Sequence, residues 1–284
     1  MKLRKHWNAV LGLNAWGELI SRANPKRAVA LVDDKHTTKE RLRAAGAPVP
    51  ETLHLVLDRV GLRRIDLDTL PEAWACKPNQ SLGGSGIKVV DGRHPDGGWT
   101  TLSGRRLPVR KLEDHVRAIL GGEFSPRAAD AAIFEPLLRC HPDLASLAPA
   151  GLPDIRVICD DEEPRLAMLR LPTHASDGRA NLHAGGLGAA VDLATGKITR
   201  ALQHRREIET HPETGERLVG VQIPAWPEVL DAASRCAAAT GLHYLGADVV
   251  VDAARGPCIL EVNARPGLEI QNVTGTGLSE FAQG

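Results

Sequence analysis

The sequence has few cysteines and few aromatic residues for its 284 positions. The five cysteines are odd in number and show no C-x-x-C spacing, which argues against a disulfide framework and against a cysteine zinc site. We therefore expect buried free thiols in a reducing compartment. One tyrosine, three phenylalanines and two methionines accompany abundant Ala, Arg and Gly, a bias that indicates the base composition of the gene more than a function.

The sequence also has no net charge, because 35 Lys and Arg balance 35 Asp and Glu. Without a surplus of positive charge, no overall electrostatic field attracts nucleic acid or an anionic membrane. Local clusters of basic residues are still compatible with this composition. No apolar run approaches the length that spans a bilayer. The basic residues 1–5 resemble the start of a signal peptide, but Asn14 and Glu18 interrupt the apolar stretch that follows. We expect a cytoplasmic protein without stable membrane insertion and without a nucleic-acid partner.

A hairpin near the end of the sequence carries three polar side chains in an apolar setting. Two apolar runs, 245–251 and 258–262, are joined by a turn-prone segment, which predicts two strands. Glu261 and Asn263 are two positions apart and share a face of their strand, and Asp248 can face them from the partner strand. Oxygen ligands without His or Cys suit Mg²⁺ on substrate phosphates rather than zinc. A polar strand end before a turn is the alternative.

A glycine-rich segment follows a strand that ends with a lysine. Lys77 closes the apolar run 73–77, and residues 79–86 contain three glycines before the next strand, 87–90. Glycine lets backbone N–H groups approach anionic oxygens, while the lysine supplies a positive charge to a phosphate. The pattern differs from the Walker motif, because the lysine precedes the glycines and the segment leads into a strand. An ordinary hairpin turn is the alternative.

The remaining pattern mixes helices and strands without a regular alternation. The predicted helices cover residues 35–45, 108–120 and 225–240, and a helical period broken by glycines covers residues 3–22. The predicted strands include residues 52–57, 131–138, 155–159 and 165–171. The mixture favours an α+β fold over a doubly wound sheet, and the length allows two lobes.

Taken together and in this order, these segments resemble the ATP-grasp superfamily, and more closely the RimK-type alpha-L-glutamate ligases and their relatives. The similarity covers residues 24–277. The matching segments are residues 33–35, 46–50, 77 with 80–87, 133–137, 154–157, 179–186 and the hairpin with its continuation, 248–269. The first two resemble the opening of the family's nucleotide domain, and the next two resemble its phosphate-covering hairpin and its adenine hinge. The segments 154–157 and 179–186 are typical of the glutamate-ligase branch.

The resemblance implies an ATP-grasp fold of two α+β lobes that hold ATP between them. The implied parts are an N-terminal helical segment, 1–32, a first part with the small lobe, 33–138, and a large lobe with the metal site, 139–284. Superfamily members usually carry a whole α/β domain where this sequence has the short segment. Part of the acceptor pocket is then missing, supplied by a second subunit, or left open for a large substrate such as a protein tail. We expect a homodimer; if the apolar stripe at Trp7, Val10 and Leu11 packs within the chain instead, we expect a monomer.

The resemblance also implies which residues hold the nucleotide and the metal. Lys35 and Lys77 face the phosphates, and Glu135 with its neighbours faces the nucleoside. The implied nucleotide set is Lys35, Lys77, Gln80, Ser81, Gly83, Gly84, Ser85, Gly86, Glu135, Pro136, Leu137 and Asn181. The implied ligands of one or two Mg²⁺ ions, with Mn²⁺ as the alternative, are Asp248, Glu261 and Asn263. Removal of a surface charge usually changes stability by little, so we expect Lys77→Met to weaken ATP binding much more than it destabilises the fold.

Arginine suits an acyl phosphate and substrate carboxylates, because its planar fork pairs with two oxygens at once. The four implied catalytic residues, all in matched segments, are Arg156, Arg179, Arg170 and Arg265. Ion pairs with Asp154 or Asp177 are the structural alternative. Asn181 and His183 also match, although hydrogen bonding to the loop backbone explains them equally. Three histidines without a match are expected on the surface, His174, His204 and His211.

The expected activity is that of an ATP-dependent carboxylate–amine ligase. Transfer of the γ-phosphoryl group to a carboxylate gives an acyl phosphate, and an amine then displaces phosphate, so that the products are ADP, phosphate and an amide. The donor is expected to be an amino acid such as glutamate, and the acceptor a peptide, a protein or a small amine. The alternatives are an ATP-grasp enzyme of another subgroup, such as one in surface-sugar biosynthesis, and a non-catalytic ATP-binding regulator.

Overall fold

The computed structural model describes residues 10–81, 83–176 and 178–278. The chain forms two compact units. The larger unit consists of residues 1–33, 37–49 and 139–284, and the smaller unit consists of residues 34–36 and 50–138. Each unit has its own antiparallel sheet and its own hydrophobic cluster, which agrees with the α+β class expected from the sequence.

Three helices begin the described chain, α1 (Leu13–Ala23), α2 (Lys26–Val32) and α3 (Lys35–Ala44). The helix expected in residues 3–22 is confirmed from Leu13 onward, whereas residues 1–9 with Trp7 lie outside the described part. Leu11 is buried, and its backbone exchanges two hydrogen bonds with the side chain of Gln271. This end of the apolar stripe therefore packs within the chain.

The smaller unit has a six-stranded sheet in the order β1-β6-β2-β3-β4-β5. Its strands are β1 (His54–Val56), β2 (Ala73–Pro78), β3 (Lys88–Arg93), β4 (Trp99–Thr101), β5 (Arg106–Leu107) and β6 (Ala132–Pro136), and its further helices are α4 (Arg59–Arg64) and α5 (Val109–Leu120). The side chains of Trp74, Trp99 and Phe134 fill its core and are fully buried. Trp74 and Cys76 point into this core from one face of β2. Side chains alternate along a strand, so Lys77 lies on the opposite face.

The larger unit has a seven-stranded sheet in the order β11-β10-β9-β8-β7-β12-β13. Its strands are β7 (Asp154–Asp160), β8 (Glu163–Leu171), β9 (Leu187–Val191), β10 (Ile198–Gln203), β11 (Arg206–Ile208), β12 (Tyr244–Asp252) and β13 (Gly256–Asn263), and its further helices are α6 (Pro142–Ala145), α7 (Trp226–Thr240) and α8 (Glu269–Thr274). Helix α7 packs its apolar stripe, which includes Val229, Ala233 and Cys236, into one hydrophobic cluster. Helices α1 and α8 contribute to a second cluster with Ile158 and Met168 of the sheet.

Several expectations about these elements are confirmed. Helix α7 ends at Gly241, whose φ of 72° suits a residue without a Cβ atom. All five cysteines are free, and burial raises the pKa of the Cys76 thiol far above its ordinary value, as expected for an inert core thiol. Within the described residues, none of the helices is both long enough and apolar enough to cross a membrane.

Candidate active site

The hairpin of β12 and β13 places the three implied metal ligands together. Asp248 pairs with Glu261 in the strand register, and the Nδ2 atom of Asn263 donates to Oδ2 of Asp248 at 3.2 Å. A register shift follows Asp248, because Val249 pairs with Ile259 and one residue of β13 is therefore additional. Such a bulge bends a strand and redirects its side chains. Asp248 is buried, whereas Glu261 and Asn263 are partly exposed.

Two of the implied catalytic arginines reach the same carboxylate. Arg156 lies opposite Asp248 on the neighbouring strand β7, and its Nε and Nη2 atoms donate to the two carboxylate oxygens at 2.7 and 2.6 Å. Arg170 of β8 donates to Oδ2 of Asp248 at 2.8 Å and also pairs with both oxygens of Asp154. We call Asp154, Arg156, Arg170 and Asp248 the acid–arginine network.

Burial and charge act in opposite directions on the two carboxyls of this network. Burial favours the neutral form of Asp248, but the guanidinium groups of Arg156 and Arg170 outweigh it and hold the pKa of that carboxyl below its ordinary value. Burial raises the pKa of Asp154 to about 6, because Arg170 offsets it only in part and the charge of Asp248 adds to it. The arginine of the pair, Arg170, also has a raised pKa, because the two carboxylates outweigh its burial.

The donor set of the hairpin fits a hard cation in its chemistry. Asp248, Glu261 and Asn263 provide carboxylate and amide oxygens, which are the ligands that Mg²⁺ prefers. No group of three or more His, Cys, Asp or Glu side chains that could hold a metal occurs in the described part of the chain, so the amide of Asn263 is needed as the third donor. Both oxygens of Asp248 already accept hydrogen bonds from arginine. A metal at Asp248 therefore requires that at least one of these bonds be exchanged.

The smaller unit brings together two residues that the resemblance assigned to different parts of the nucleotide. Lys77 of β2 and Glu135 of β6 form an ion pair with an Nζ–Oε2 distance of 2.8 Å, and their side chains are only 10% and 6% exposed. The pairing of the two strands explains the contact, because Lys77 lies opposite Ile133 and Ala75 lies opposite Glu135. The charge of Lys77 is therefore partly neutralised before any phosphate binds.

The glycine-rich segment after β2 has the backbone that its sequence predicts. Positive φ angles of 62°, 76° and 76° occur at Gly83, Gly84 and Gly86. A Cβ atom at Gly86 would lie 2.5 Å from the ring of Phe124, so no larger residue fits there. Lys35 donates from Nζ to the backbone oxygen of Ser81 at 2.6 Å, which brings the second implied phosphate-binding lysine to this segment.

Two anchors of this segment were not identified from the sequence. The side chain of Asn79 donates to Asp34 at 2.8 Å and accepts from the backbone N–H of His36 at 2.8 Å. Asp130 accepts from the backbone N–H of Gln80 at 3.0 Å. The only local signal in the sequence was that a polar residue, Asn79, directly follows a strand. The partners in all three of these hydrogen bonds are more than 40 residues apart along the chain.

The other implied residues lie outside the acid–arginine network. Arg265 forms a partly exposed ion pair with Asp33 at 3.7 Å, and Arg179 is exposed on the connection between β8 and β9. Asn181 accepts from the backbone N–H of His183 at 3.0 Å and caps a short 3-10 helix, Leu182–Ala184, which is the backbone role expected as the alternative. Its assignment to the nucleotide stays a prediction.

The expected surface position of the unmatched histidines is wrong for His211. His174 and His204 are exposed, and His174 bonds Glu213 through Nδ1 at 2.9 Å. His211 is only 1% exposed, and burial lowers its pKa. The backbone bridge between Thr210 and Arg217 closes a short loop that contains this residue, and a polar stretch of this kind gives no sign that one of its side chains is buried.

Comparison with known proteins identifies the family and the fold of the chain. A family model described as sugar-transfer associated ATP-grasp matches residues 15–283. The solved structure of the ATP-grasp ligase PsnB with a phosphomimetic variant of its minimal precursor, Mg and ADP matches with a TM-score of 0.50 and 18% identity, over 92% of this chain and 58% of PsnB. These matches confirm the α+β ATP-grasp fold expected from the sequence.

Two further structures are similar at lower scores. D-alanine–D-alanine ligase from Bacillus anthracis in complex with ATP has a TM-score of 0.48 and 16% identity, over 86% of this chain and 58% of the ligase. D-cycloserine synthetase DcsG has a TM-score of 0.49 and 13% identity, over 92% of this chain and 74% of DcsG. The chain thus spans less than two thirds of the length of PsnB and of the D-alanine ligase. No curated protein matches the sequence significantly.

Proposed function

Because the chain belongs to the sugar-transfer associated ATP-grasp family, we propose that it is an ATP-dependent ligase that joins a carboxylate to an amine. The observation that carries this proposal is the acid–arginine network beside Asn263, in which two partly buried arginines converge on the carboxylate of Asp248. These two planar guanidinium groups lie beside two of the implied metal ligands, Asp248 and Asn263, which is where a ligase needs positive charge for the reacting carboxylate and phosphate. Carboxyls whose pKa values are shifted by burial and by a specific charged partner mark candidate reaction centres.

The chemistry requires that the donor carboxylate be activated, because its negative charge repels an amine. One carboxylate oxygen attacks the γ-phosphorus of ATP, the bond to the β–γ bridging oxygen breaks, and ADP leaves. The amine nitrogen then attacks the carbonyl carbon of the acyl phosphate, phosphate leaves with that carboxylate oxygen, and the nitrogen loses a proton to solvent. The protein's part is to position the groups and to offset charge.

The arginines are suited to the first of these steps. Arg156 and Arg170 carry planar forks that can pair with two oxygens of a carboxylate or of an acyl phosphate. In the structure these forks bind Asp248 and Asp154, which holds them in place before a substrate carboxylate competes for them. Magnesium, when bound by Asp248, Glu261 and Asn263, would supply positive charge to the phosphate oxygens.

The smaller unit supplies the groups that suit the ATP phosphates. The glycine-rich segment offers backbone N–H groups, and Lys35 lies against it through the backbone oxygen of Ser81. Lys77 brings a second positive charge, which Glu135 holds in place at the end of β2. These positions support the part of the implied nucleotide set that would bind phosphate, namely Lys35, Lys77 and the glycine-rich segment.

The substrates are proposed only by class. The family description associates these proteins with sugar transfer, which favours the alternative expected from the sequence, an ATP-grasp enzyme in surface-sugar biosynthesis. The RimK-type assignment, with glutamate as donor, stays a prediction based on the motif segments 154–157 and 179–186. An amino acid donor is compatible with both.

The proposal is tested by the products that form with a panel of amino acids and amines. We expect one ADP and one phosphate for each amide, and we expect Glu261→Gln, which removes a charge at nearly constant shape, to abolish turnover. Glu162→Gln is the matched control, because Glu162 is exposed in the turn between β7 and β8. Formation of AMP, or normal turnover by Glu261→Gln, would contradict the proposal.

A further inference from the structure

A cleft of about 300 Å³ lies in the larger unit, outside the acid–arginine network. Its apolar lining comes from Leu182, Leu202 and Val273. Its charged and titratable lining comes from His183, His204, Arg205 and Glu269. A cleft of this size is at the small end of ligand pockets and suits a molecule of amino acid size.

The basic side chains of the cleft come from an unusual turn. His204 and Arg205 form the two-residue connection of the β10–β11 hairpin, because Gln203 pairs with Arg206. Both have positive φ angles, 47° and 65°, a conformation for which such hairpins normally use Asn and Gly. The chain thus places an imidazole and a guanidinium side chain where small residues would form the turn with less strain.

The acidic side of the cleft is built by α8. Glu269 accepts from Asn272 at 3.0 Å with one oxygen and pairs with Arg205 at 3.2 Å with the other. Burial favours its neutral form, but these hydrogen bonds outweigh it and lower the pKa of Glu269, so that the carboxylate is charged at neutral pH. The side chain of Glu269 is 24% exposed and that of Arg205 is 77% exposed, which leaves both accessible to a ligand.

The cleft adjoins the acid–arginine network through the sheet. Gly188 of β9 pairs with Arg170 of β8, and Gly186, which lines the cleft, is two residues before Gly188. Glu269 follows Asn263 by six residues, a stretch that extends at most about 20 Å. Val273 of the cleft packs over Gly188, because a Cβ atom there would meet its side chain at 2.6 Å.

We infer that this cleft binds the amine substrate, and that this substrate also carries an anionic group. The inference rests on the proposed function, since the amine must lie near the activated carboxylate. The carboxylate of Glu269 binds the amino end, and Arg205 with the two histidines binds the carboxylate or phosphate. The apolar lining receives the carbon atoms that join the two ends. The ion pair between Arg205 and Glu269 opens when such a ligand inserts.

Binding of four small amines tests the inference, measured by ligand-observed NMR on the full chain with saturating ADP and Mg²⁺. O-phosphoethanolamine is compared with ethanolamine, and β-alanine is compared with its amide, so that the first pair isolates a phosphate and the second a carboxylate. We expect the anionic member of one pair to bind more tightly by up to about fivefold, which is the effect of one exposed charge pair. The pair that discriminates identifies the anionic group.

Variants of the cleft residues test whether the preference for the anionic amine arises in the cleft. Arg205→Gln should remove the preference for the anionic member, and Glu269→Gln should weaken both members of a pair. Arg206→Gln is the matched control, because Arg206 is exposed, follows the turn and does not line the cleft. The inference is overturned if the members of both pairs bind equally, whether well or not at all, or if Arg205→Gln keeps the preference.

Nucleotide binding, measured on the same samples, separates this inference from the proposed function. If the wild-type chain does not bind ADP with Mg²⁺, the ligase proposal fails and the inference fails with it. If ADP binds and the two pairs show no preference, only the inference about the cleft fails. None of the cleft variants removes a residue of the nucleotide set, so we expect ADP affinity to stay within about twofold of the wild type.

Discussion

The larger and the smaller unit solve the problem of a buried charge in different ways. In the larger unit, three neighbouring strands contribute two carboxylates and two guanidinium groups, so each charge has at least one partner and Arg170 and Asp248 each have two. In the smaller unit, Lys77 and Glu135 have each other as a buried ion-pair partner. A shared network can lose one bond to a substrate and keep its members neutralised, whereas the ion pair between Lys77 and Glu135 is lost outright when either side chain is replaced.

The largest effect on stability is therefore expected in the smaller unit. Lys77→Met removes the ammonium group that pairs with the buried carboxylate of Glu135, and breaking such a buried pair costs about 3–5 kcal/mol. Chemical denaturation measures the loss. The burial of Lys77 changes the expectation from the sequence, which treated it as a surface charge whose removal affects mainly ATP binding.

Two further variants show whether the loss of stability comes from breaking the buried ion pair. Lys88→Met is the matched control, because Lys88 is exposed on the adjacent strand β3 and should change stability by less than about 0.5 kcal/mol. The double variant Lys77→Met/Glu135→Met removes both charges and should recover most of the loss. A loss below about 1 kcal/mol for Lys77→Met alone would contradict the difference between the two units.

The difference between the units also shows what the sequence could predict. Asp248, Glu261 and Asn263 were predicted to lie together, because one tight hairpin fixes their register and alternation fixes their face. The contacts of Lys77 with Glu135 and of Arg156 with Asp248 join residues 58 and 92 positions apart. These contacts depend on which strands become neighbours, and the local pattern of a strand carries no information about its partner.

The cleft was missed for a related reason. The sequence at His204 and Arg205 contains none of the residues that predict a two-residue hairpin, so the β10–β11 turn was not expected. The two residues were consequently not considered together with His183 or Glu269, which lie on other elements. Sites that depend on turns formed against residue preference are hidden from sequence patterns.

The next largest effect concerns catalysis by the network. Arg156→Lys keeps the positive charge next to Asp248 but removes the two-pronged fork, so we expect kcat to fall about 100-fold, as when one donor to a developing charge is lost. The affinity for ATP should change much less. Arg165→Lys is the matched control on β8, because Arg165 pairs with Glu163 at 2.8 Å and is partly exposed. Equal losses in both variants would assign Arg156 to structure alone.

A smaller effect is expected in the pH dependence of stability. Asp154 has its pKa raised to about 6 in the folded protein from an ordinary 3.8, so the folded state binds more protons than the unfolded state between these values. This carboxyl therefore makes stability fall as pH rises from about 4 to about 6, by on the order of 3 kcal/mol. Asp154→Asn cannot titrate and should flatten that part of the curve.

Asp154→Asn also breaks the ion pair with Arg170, which lowers the stability of the variant at every pH. Denaturation at a series of pH values measures the slope of stability against pH separately from that loss. The slope, and not the absolute stability, is therefore compared between the wild type and Asp154→Asn. Asp143→Asn is the control, because Asp143 is exposed on α6 and should keep the wild-type slope. An unchanged slope in Asp154→Asn would show that Asp154 is already charged at pH 5 and that the network neutralises it completely.

The smallest effect is expected at Arg265, which lies outside the acid–arginine network. Its ion pair with Asp33 has an N–O distance of 3.7 Å, with side chains 55% and 49% exposed, and exposed pairs contribute about 0–1 kcal/mol. Arg265→Gln should therefore shift the denaturation midpoint little and, if only the network performs the first step, should leave kcat within about twofold. Arg255→Gln, another exposed arginine paired with an aspartate, is the matched control. A tenfold fall in kcat at unchanged stability would instead support the catalytic role implied by the resemblance, because a surface pair can affect turnover only by reaching the substrate.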